Sequence, residues 1–210
     1  MPSSKTSQIA VQTDPVWGLG RVDQESSSLD GLYYYKDSAG AGVDMYTLDT
    51  GIRFTHVDFE GRAENFFTAF GDDGVDRNGH GTHCSSTMAG VQYGVAKKAN
   101  LFGGKVLGDN GSGAYDGVIA GVDAVNAASS TRTKVANMSL GGGISHALNG
   151  AVNSATDVID VVASGNSNAN ACNFSPASAT GAYGYTVNAT RFWTIIAERQ
   201  ATPGVPVNPQ

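Results

Sequence analysis

The residues best suited to chemistry in this chain are a histidine held between two glycines, an aspartate closing an apolar run, and an asparagine following another such run. The histidine is His80, in Asn78-Gly79-His80-Gly81-Thr82-His83-Cys84. Flanking glycines leave an imidazole accessible, and an unperturbed imidazole titrates near neutrality, which suits proton exchange. The aspartate is Asp49, in Leu48-Asp49-Thr50-Gly51. A carboxylate bonded to one ring nitrogen would fix the tautomer of the histidine, freeing the other nitrogen to take a proton from a nucleophile. On local evidence alone Asp49-Thr50-Gly51 reads at least as well as a turn, since Asp and Gly both favour turns. Asn166, in Ala163-Ser164-Gly165-Asn166, could donate its amide to a developing oxyanion. It is equally a turn asparagine after glycine.

Other chemistries fit less well. His80, His83 and Cys84 could begin a zinc site, but zinc needs three or four ligands at workable spacing. The remaining candidates are only His56, His146 and Cys172, so no metal is expected and His83 reads as a hydrogen-bonded helix residue. Gly111-Ser112-Gly113 lies where a dinucleotide loop would sit. A G-x-G-x-x-G pattern would need glycine at Asp116, and an aspartate there would repel a pyrophosphate, so no cofactor is expected either. Asn110, Asn137, Asn173 and Asn188 begin N-x-S/T triplets that read as chance matches, Asn137 falling inside an expected buried strand.

The chain has 210 residues, 40% of them apolar and 15% charged, which is globular composition with enough length for one substantial core. Its net charge is −6 and its longest basic run is Lys97-Lys98, so nucleic acid is not an expected partner. No apolar run approaches the length of a membrane span. Two cysteines allow one pairing at most. No apolar h-region lies behind the lysine in Met1-Pro2-Ser3-Ser4-Lys5, so the N-terminus does not read as a signal peptide and the chain as written is expected in the cytoplasm.

These residues need elements to position them. Residues 1 to 41 are mixed and turn-rich, with Trp17 a candidate to dock on the core. Val43 to Leu48 reads as a buried strand, and Asn65 to Phe70 as a second. A helix is expected from His80 to about Gln92, weakened at Gly90. Strands follow at Leu101 to Leu107, Val135 to Leu140 and Val158 to Ala163. Between them Val118, Ile119, Val122 and Val125 mark one helical face, and Ile144, Leu148, Val152 and Ala155 another. Alternating strand and helix implies an α/β fold with a mainly parallel sheet flanked by helices. In such sheets ligands gather at the carboxyl ends of strands, where Asp49, Gly111 to Gly113, Leu140 to Gly143 and Gly165-Asn166 fall. Tyr183 to Ala189 is one further candidate strand. Beyond it a tail spaced by Pro203, Pro206 and Pro209 reads as extended or disordered.

Read jointly, the stretches resemble the subtilisin family of serine proteases, and most of all its proteinase K-like branch. The matching strings include Leu48-Asp49-Thr50-Gly51-Ile52, Phe59-Glu60-Gly61-Arg62-Ala63, the segment around His80, and Tyr93-Gly94-Val95-Ala96-Lys97-Lys98-Ala99. Further on come Lys105-Val106-Leu107, Asp109-Asn110-Gly111-Ser112-Gly113, Ser139-Leu140-Gly141-Gly142-Gly143, Ser164-Gly165-Asn166 and Asn173-Phe174-Ser175-Pro176-Ala177-Ser178, all in family order. The resemblance implies a three-layer subtilisin-like fold over 17–189, with 1–16 as an N-terminal extension and 190–210 as an unrelated tail. It implies that Asp49 is the triad aspartate, His80 the general base and Asn166 the oxyanion side chain. Gly111, Ser112, Gly113 and Tyr115 on one side, and Ser139, Leu140 and Gly141 on the other, would clamp an extended peptide by strand addition. Ala163, Ser164 and Gly165 would line the pocket for the residue before the scissile bond, and Cys84 matches a free thiol near the triad. The partners implied are extended peptide or protein substrates, and the family setting is extracellular.

Departures from the family pattern matter as much. Its nucleophile lies in a Gly-Thr-Ser-Met-Ala-x-Pro motif that these 210 residues do not contain. Ser86-Thr87-Met88-Ala89 is only an echo of it, placed on the helix that follows His80. The calcium-binding carboxylates of the family's later half are also missing, and the family pattern is lost soon after Val187. In subtilisin itself, removing the nucleophile alone costs on the order of a million-fold in kcat. The chain as written is therefore expected to be a truncated, inactive family member. The competing expectations are a pseudoprotease that holds peptides without cutting them, and an incomplete gene product whose transcript encodes the motif in another frame or splice form.

Overall fold

The computed structural model describes residues 8–26, 28–181 and 185–187. In chain order the elements are β1 (Ile9–Thr13), α1 (Trp17–Val22), β2 (Leu32–Lys36), β3 (Val43–Asp49), β4 (Ala63–Thr68), α2 (His80–Ala89), β5 (Asn100–Lys105), α3 (Tyr115–Ala127), β6 (Thr133–Met138), α4 (His146–Asn153), β7 (Val158–Ala163) and β8 (Tyr185–Val187). Single 3-10 turns occupy Val57–Phe59 and Ala171–Asn173.

Six strands form one sheet in the order β4-β5-β3-β6-β7-β8, every neighbouring pair parallel. From β3 the chain steps outward to β4, returns to β5 beside β3, and then crosses to β6, β7 and β8. The direction of travel thus reverses at β3, and a crevice opens at such a reversal at the carboxyl ends of the strands. Asp49 is the last residue of β3.

The period of two along β3 decides which face each residue serves. Tyr46 and Leu48 enter a core with Val122, Met138, Leu148 and Val162, under α3 and α4. Val43 and Met45 pack on the opposite face against a smaller core containing Phe59, Ala89 and Leu101, under α2. Thr47 shares that second face, its hydroxyl 2.9 Å from that of Ser85 on α2. By the same alternation Asp49 points toward α2, the helix that His80 begins.

The helices follow from their apolar spacing and their ends. Val118, Val122 and Val125 of α3 are buried on one face, and Leu148 and Val152 do the same for α4. Ser145 caps α4 by accepting from the Leu148 amide at 3.2 Å. Ile144, expected on that face, precedes the helix and is 47% exposed. Trp17 does not dock on the core: it is 69% exposed, and Leu19, at 2%, is the residue of α1 that packs inward. Residues 9–13 and 32–36, read as irregular, form a small antiparallel sheet with Ile9 opposite Lys36 and Thr13 opposite Leu32. Its inner residue Tyr33 meets the Lys97 ammonium, which lies 5.4 Å from the ring centroid. Cys84 and Cys172 are both free thiols. Of the strand expected over Tyr183 to Ala189 the described part is Tyr185–Val187, and the expected tail lies outside the described residues.

Candidate active site

Asp49 is completely buried, and both of its carboxylate oxygens face the Nδ1 of His80, at 2.8 and 2.9 Å. One oxygen also accepts from the Thr50 amide at 2.7 Å. Burial pushes the Asp49 carboxyl above its ordinary range, and the hydrogen bonds from His80 and Thr50 pull it partly back. An ionised carboxylate only accepts, so Nδ1 carries the proton and Nε2 is the basic nitrogen. The His80 side chain is 48% exposed, so that nitrogen is open to the crevice.

Local backbone geometry makes this contact possible. Gly81 must be glycine: a Cβ there would run into the carbonyl oxygen of Gly51 and lie 3.2 Å from the Asp49 carboxylate. Gly79, with φ of 107°, holds the left-handed turn that admits the chain to α2. The remaining support comes from Asp76, which sequence reasoning passed over. One of its oxygens accepts from the Thr50 hydroxyl at 2.8 Å and from the amides of Asn78 and Gly79 at 2.9 and 2.8 Å. The other accepts from the Thr82 amide at 2.9 Å and the Thr82 hydroxyl at 2.6 Å. The Thr50 hydroxyl in turn accepts from the Gly81 amide at 3.0 Å. Asp76 thus satisfies amides at the start of α2 that the helix cannot satisfy itself, and ties them to the residue beside Asp49. An aspartate three residues before a glycine that opens a helix was the available signal.

A cavity of about 410 Å³ opens beside the pair. His80, Thr50 and Asn78 form one end, Gly111, Ser112, Gly113 and Tyr115 one side, and Ser139, Leu140 and Gly141 the other. The structure therefore brings together the expected base and both expected peptide-binding segments. The Tyr115 hydroxyl donates to the Gly143 carbonyl at 2.6 Å, linking the two walls. Ala163 ends β7, the strand next to β6, Ser164, Gly165 and Asn166 follow it, and none of the four lines this cavity. Gly165 turns with φ of 98°, and Asn166 is exposed.

Two alternatives raised by residue type can be weighed against this geometry. Asp49, His80 and Cys84 each offer a ligand atom within 4.8 Å of the others. The Asp49 oxygens are already engaged, and burial with the nearby Asp49 charge pushes the Cys84 thiol up to about 11. A thiol that stays protonated is a poor ligand and a poor nucleophile. It also stands 3.9 Å from Nδ1, the nitrogen already held by Asp49, and so cannot deliver a proton to Nε2. His83 belongs to a different depression, with Arg53, His56 and Tyr93. Ser86 of the motif echo lines that depression as well, its hydroxyl bonded to Asp58.

A parallel α/β sheet with a buried Asp–His pair at its reversal point, opening on a cleft between two glycine-rich segments, agrees with the subtilisin-like framework expected from the sequence. Comparison with known proteins narrows the class: the chain belongs to the subtilase family, whose model matches residues 40–199. It is 48% identical over 189 residues to the subtilisin-like serine protease Pen c 2 of Penicillium citrinum, covering 81% of this chain and 41% of that protein. Against alkaline protease 2 of Aspergillus fumigatus it is 47% identical over 200 residues, covering 83% of this chain and 40% of the relative. The chain thus spans about two fifths of the length of these relatives. Among solved structures, a cold-adapted subtilisin-like serine proteinase matches with a TM-score of 0.78 and 46% identity, over 83% of this chain and 64% of that one. Sphericase matches with a TM-score of 0.66 and 29% identity, over 84% and 60%. Among the described residues no helix is long and apolar enough to cross a membrane.

Proposed function

We propose that this chain carries the proton-handling and peptide-binding half of a subtilisin-type serine endopeptidase site, and that its 210 residues bind extended peptides without cleaving them. One observation carries the reading: His80 is held through Nδ1 by both oxygens of a buried aspartate while its ring opens on the cleft. In acyl transfer such an imidazole takes the proton of an attacking serine and returns it to the leaving amine. Asp49 keeps the tautomer fixed and stabilises the imidazolium formed on the way. The peptide backbone would pair with 111–113 and 139–141, where glycines permit close approach. Asn166 would donate to the oxyanion, and Ala163, Ser164 and Gly165 would receive the side chain before the scissile bond. No resident metal takes part in this scheme, and the family setting is extracellular.

What the 210 residues do not supply is a serine in the family's nucleophile motif. The purified chain is therefore expected to leave casein and peptide esters intact and to resist a serine-directed fluorophosphonate. A peptidyl chloromethyl ketone should nevertheless alkylate His80 at least tenfold faster than chloroacetone does, because peptide binding holds the reagent at the imidazole. Fluorophosphonate labelling together with casein cleavage would overturn the non-catalytic part. Equal rates for the two ketones would overturn the peptide-binding part.

A further inference from the structure

Among the described residues, Lys105 is a buried cation that touches both halves of this proposed site. It ends β5, in register opposite Asp49, and its side chain is 1% exposed. The ammonium donates to the Thr50 carbonyl at 3.0 Å and to the Asp109 carboxylate at 2.7 Å. It also lies 5.8 Å from the centre of the Phe70 ring. An ammonium has three donors and no acceptor, so in a dry site each direction needs a partner. Here two directions are taken by oxygens, and an aromatic face is within cation–π range.

The two oxygens belong to different working parts. Thr50 follows Asp49, gives its amide to the Asp49 carboxylate, and gives its hydroxyl to the Asp76 network that opens α2. Its peptide group therefore helps to set where the carboxylate meets His80. Asp109 begins the loop that forms one wall of the cleft, and its own carbonyl accepts from the Asn78 side chain at 2.9 Å. That loop closes on itself through the Gly108 amide and the Ser112 carbonyl, at 2.8 Å. Two backbone bonds already pin the Asp49 carbonyl, from the amides of Val106 and Leu107 at 2.9 and 3.0 Å. They hold β3 to the start of the loop segment but do not reach its tip. The Asn78 side chain joins the Asp109 carbonyl to the His80 amide from the exposed side, and Lys105 adds a buried link from Thr50 to the Asp109 carboxylate.

We infer that Lys105 is a positioning residue, which locks the peptide-binding wall at 108–113 in register with the Asp49–His80 pair. It touches neither substrate nor imidazole and acts through Thr50 and Asp109. The inference rests on the peptide-binding reading given above and assigns one residue the task of aligning its two components. Removing the ammonium would leave the Asp109 carboxylate and the Thr50 carbonyl without their shared donor, and would let the wall drift relative to His80. Drift on the order of 1 Å is enough to cost a hundredfold in a positioned reaction.

The test uses the full chain and the ratio of two alkylation rates at His80, that of a peptidyl chloromethyl ketone over that of chloroacetone. Lys105→Met removes the charge with little change of volume. Asp109→Ala cuts only the link to the wall, at a side chain that is 53% exposed, and so keeps the test alive if the first variant does not fold. The ratio should fall at least tenfold in each, and Lys105→Arg should recover part of the loss. Unfolded chain reacts with both reagents alike and would lower the ratio by itself, so the rates are read on variants whose guanidinium unfolding shows them fully folded at the start. A ratio within twofold of the parent in the folded variants overturns the inference. If the parent itself shows no advantage for the peptidyl reagent, the peptide-binding reading has failed. The inference is then decided by the low-field N–H proton resonance of the Asp49–His80 pair: its loss or displacement in Lys105→Met supports the positioning role, and an unmoved signal overturns it.

Discussion

Replacing Asp160 by valine should stabilise this protein, and by an amount that grows with pH. Asp160 sits in the middle of β7 with Val158 and Val162 on the same face, and these three are 3%, 1% and 3% exposed. Both valines belong to the core under α3 and α4. The residue beside Asp160 on β6 is Ala136, itself 1% exposed. Among the described residues no hydrogen bond or ion pair reaches the Asp160 carboxylate. Burial alone pushes its carboxyl from 3.8 up to about 7. A rise of that size amounts to a penalty of about 4 kcal/mol for the ionised form. The folded state holds the proton more tightly than the unfolded chain, so stability falls as pH rises from 3.8 and levels off above about 7. Asp160→Val should therefore gain about 4 kcal/mol more at pH 8 than at pH 3.5, on top of a pH-independent gain of about 1.5 kcal/mol from apolar burial. Asp160→Asn keeps the shape and should abolish the same pH slope. Guanidinium unfolding across this pH range measures both. A stability difference between variant and parent that is flat to within about 1 kcal/mol would refute the reasoning.

Other substitutions test how the dyad is held. Gly81→Ala places a methyl group against the Gly51 carbonyl, which is backbone and cannot give way, so it should cost about 1–3 kcal/mol in guanidinium unfolding and slow alkylation of His80. Asp76→Ala leaves the Thr50, Asn78, Gly79 and Thr82 donors unpaired and should cost about 2–3 kcal/mol at pH 7. Burial alone would raise the Asp76 carboxyl, but the hydrogen bonds from Gly79 and Thr82 outweigh it and hold it below the usual range. Its contribution is therefore complete above the ordinary carboxylate pKa and is lost as pH falls through the lowered one, so parent and Asp76→Ala should converge in acid unfolding.

Much of the framework is legible in the sequence because period and apolar content point the same way. Val158-Ile159-Asp160-Val161-Val162-Ala163 is β-branched nearly throughout and forms β7 over those residues. Val118, Val122 and Val125 give α3 its buried face, although its bounds at Tyr115 and Ala127 carry no side-chain cap to mark them. The first 36 residues were harder to read. Ile9 to Thr13 and Leu32 to Lys36 gain their strand character from each other, across a separation that no local pattern encodes. Trp17 misled because size and aromaticity suggest burial, whereas the turn of α1 directs Leu19 inward instead. At the site, Asp49 and His80 could be singled out by type, but neither their contact nor the role of Asp76 could. Both depend on the β3 alternation that turns Asp49 toward α2, and on a helix start that only the fold reveals.

The contacts that hold His80 explain how the proposed half-site can be well formed by itself. Asp49, Thr50, Gly51, Asp76, Gly79, Gly81 and Thr82 all lie within 34 residues of chain, in β3, the start of α2 and the loops beside them. The cleft walls add 111–115 and 139–141, which follow strands on either side of β3. None of the hydrogen bonds that orient the imidazole is made to a serine, or to any residue beyond Thr82. Orientation of the base is thus a property of the sheet's reversal point, independent of what presents a nucleophile to it. Independence of this kind predicts that His80 reacts with chloroacetone as a folded Asp–His pair with no nucleophile-bearing segment present, its orientation set by β3, the start of α2 and the Lys105 contact to Thr50. An Asp–His pair that formed only after a nucleophile-bearing segment was supplied in trans would contradict it.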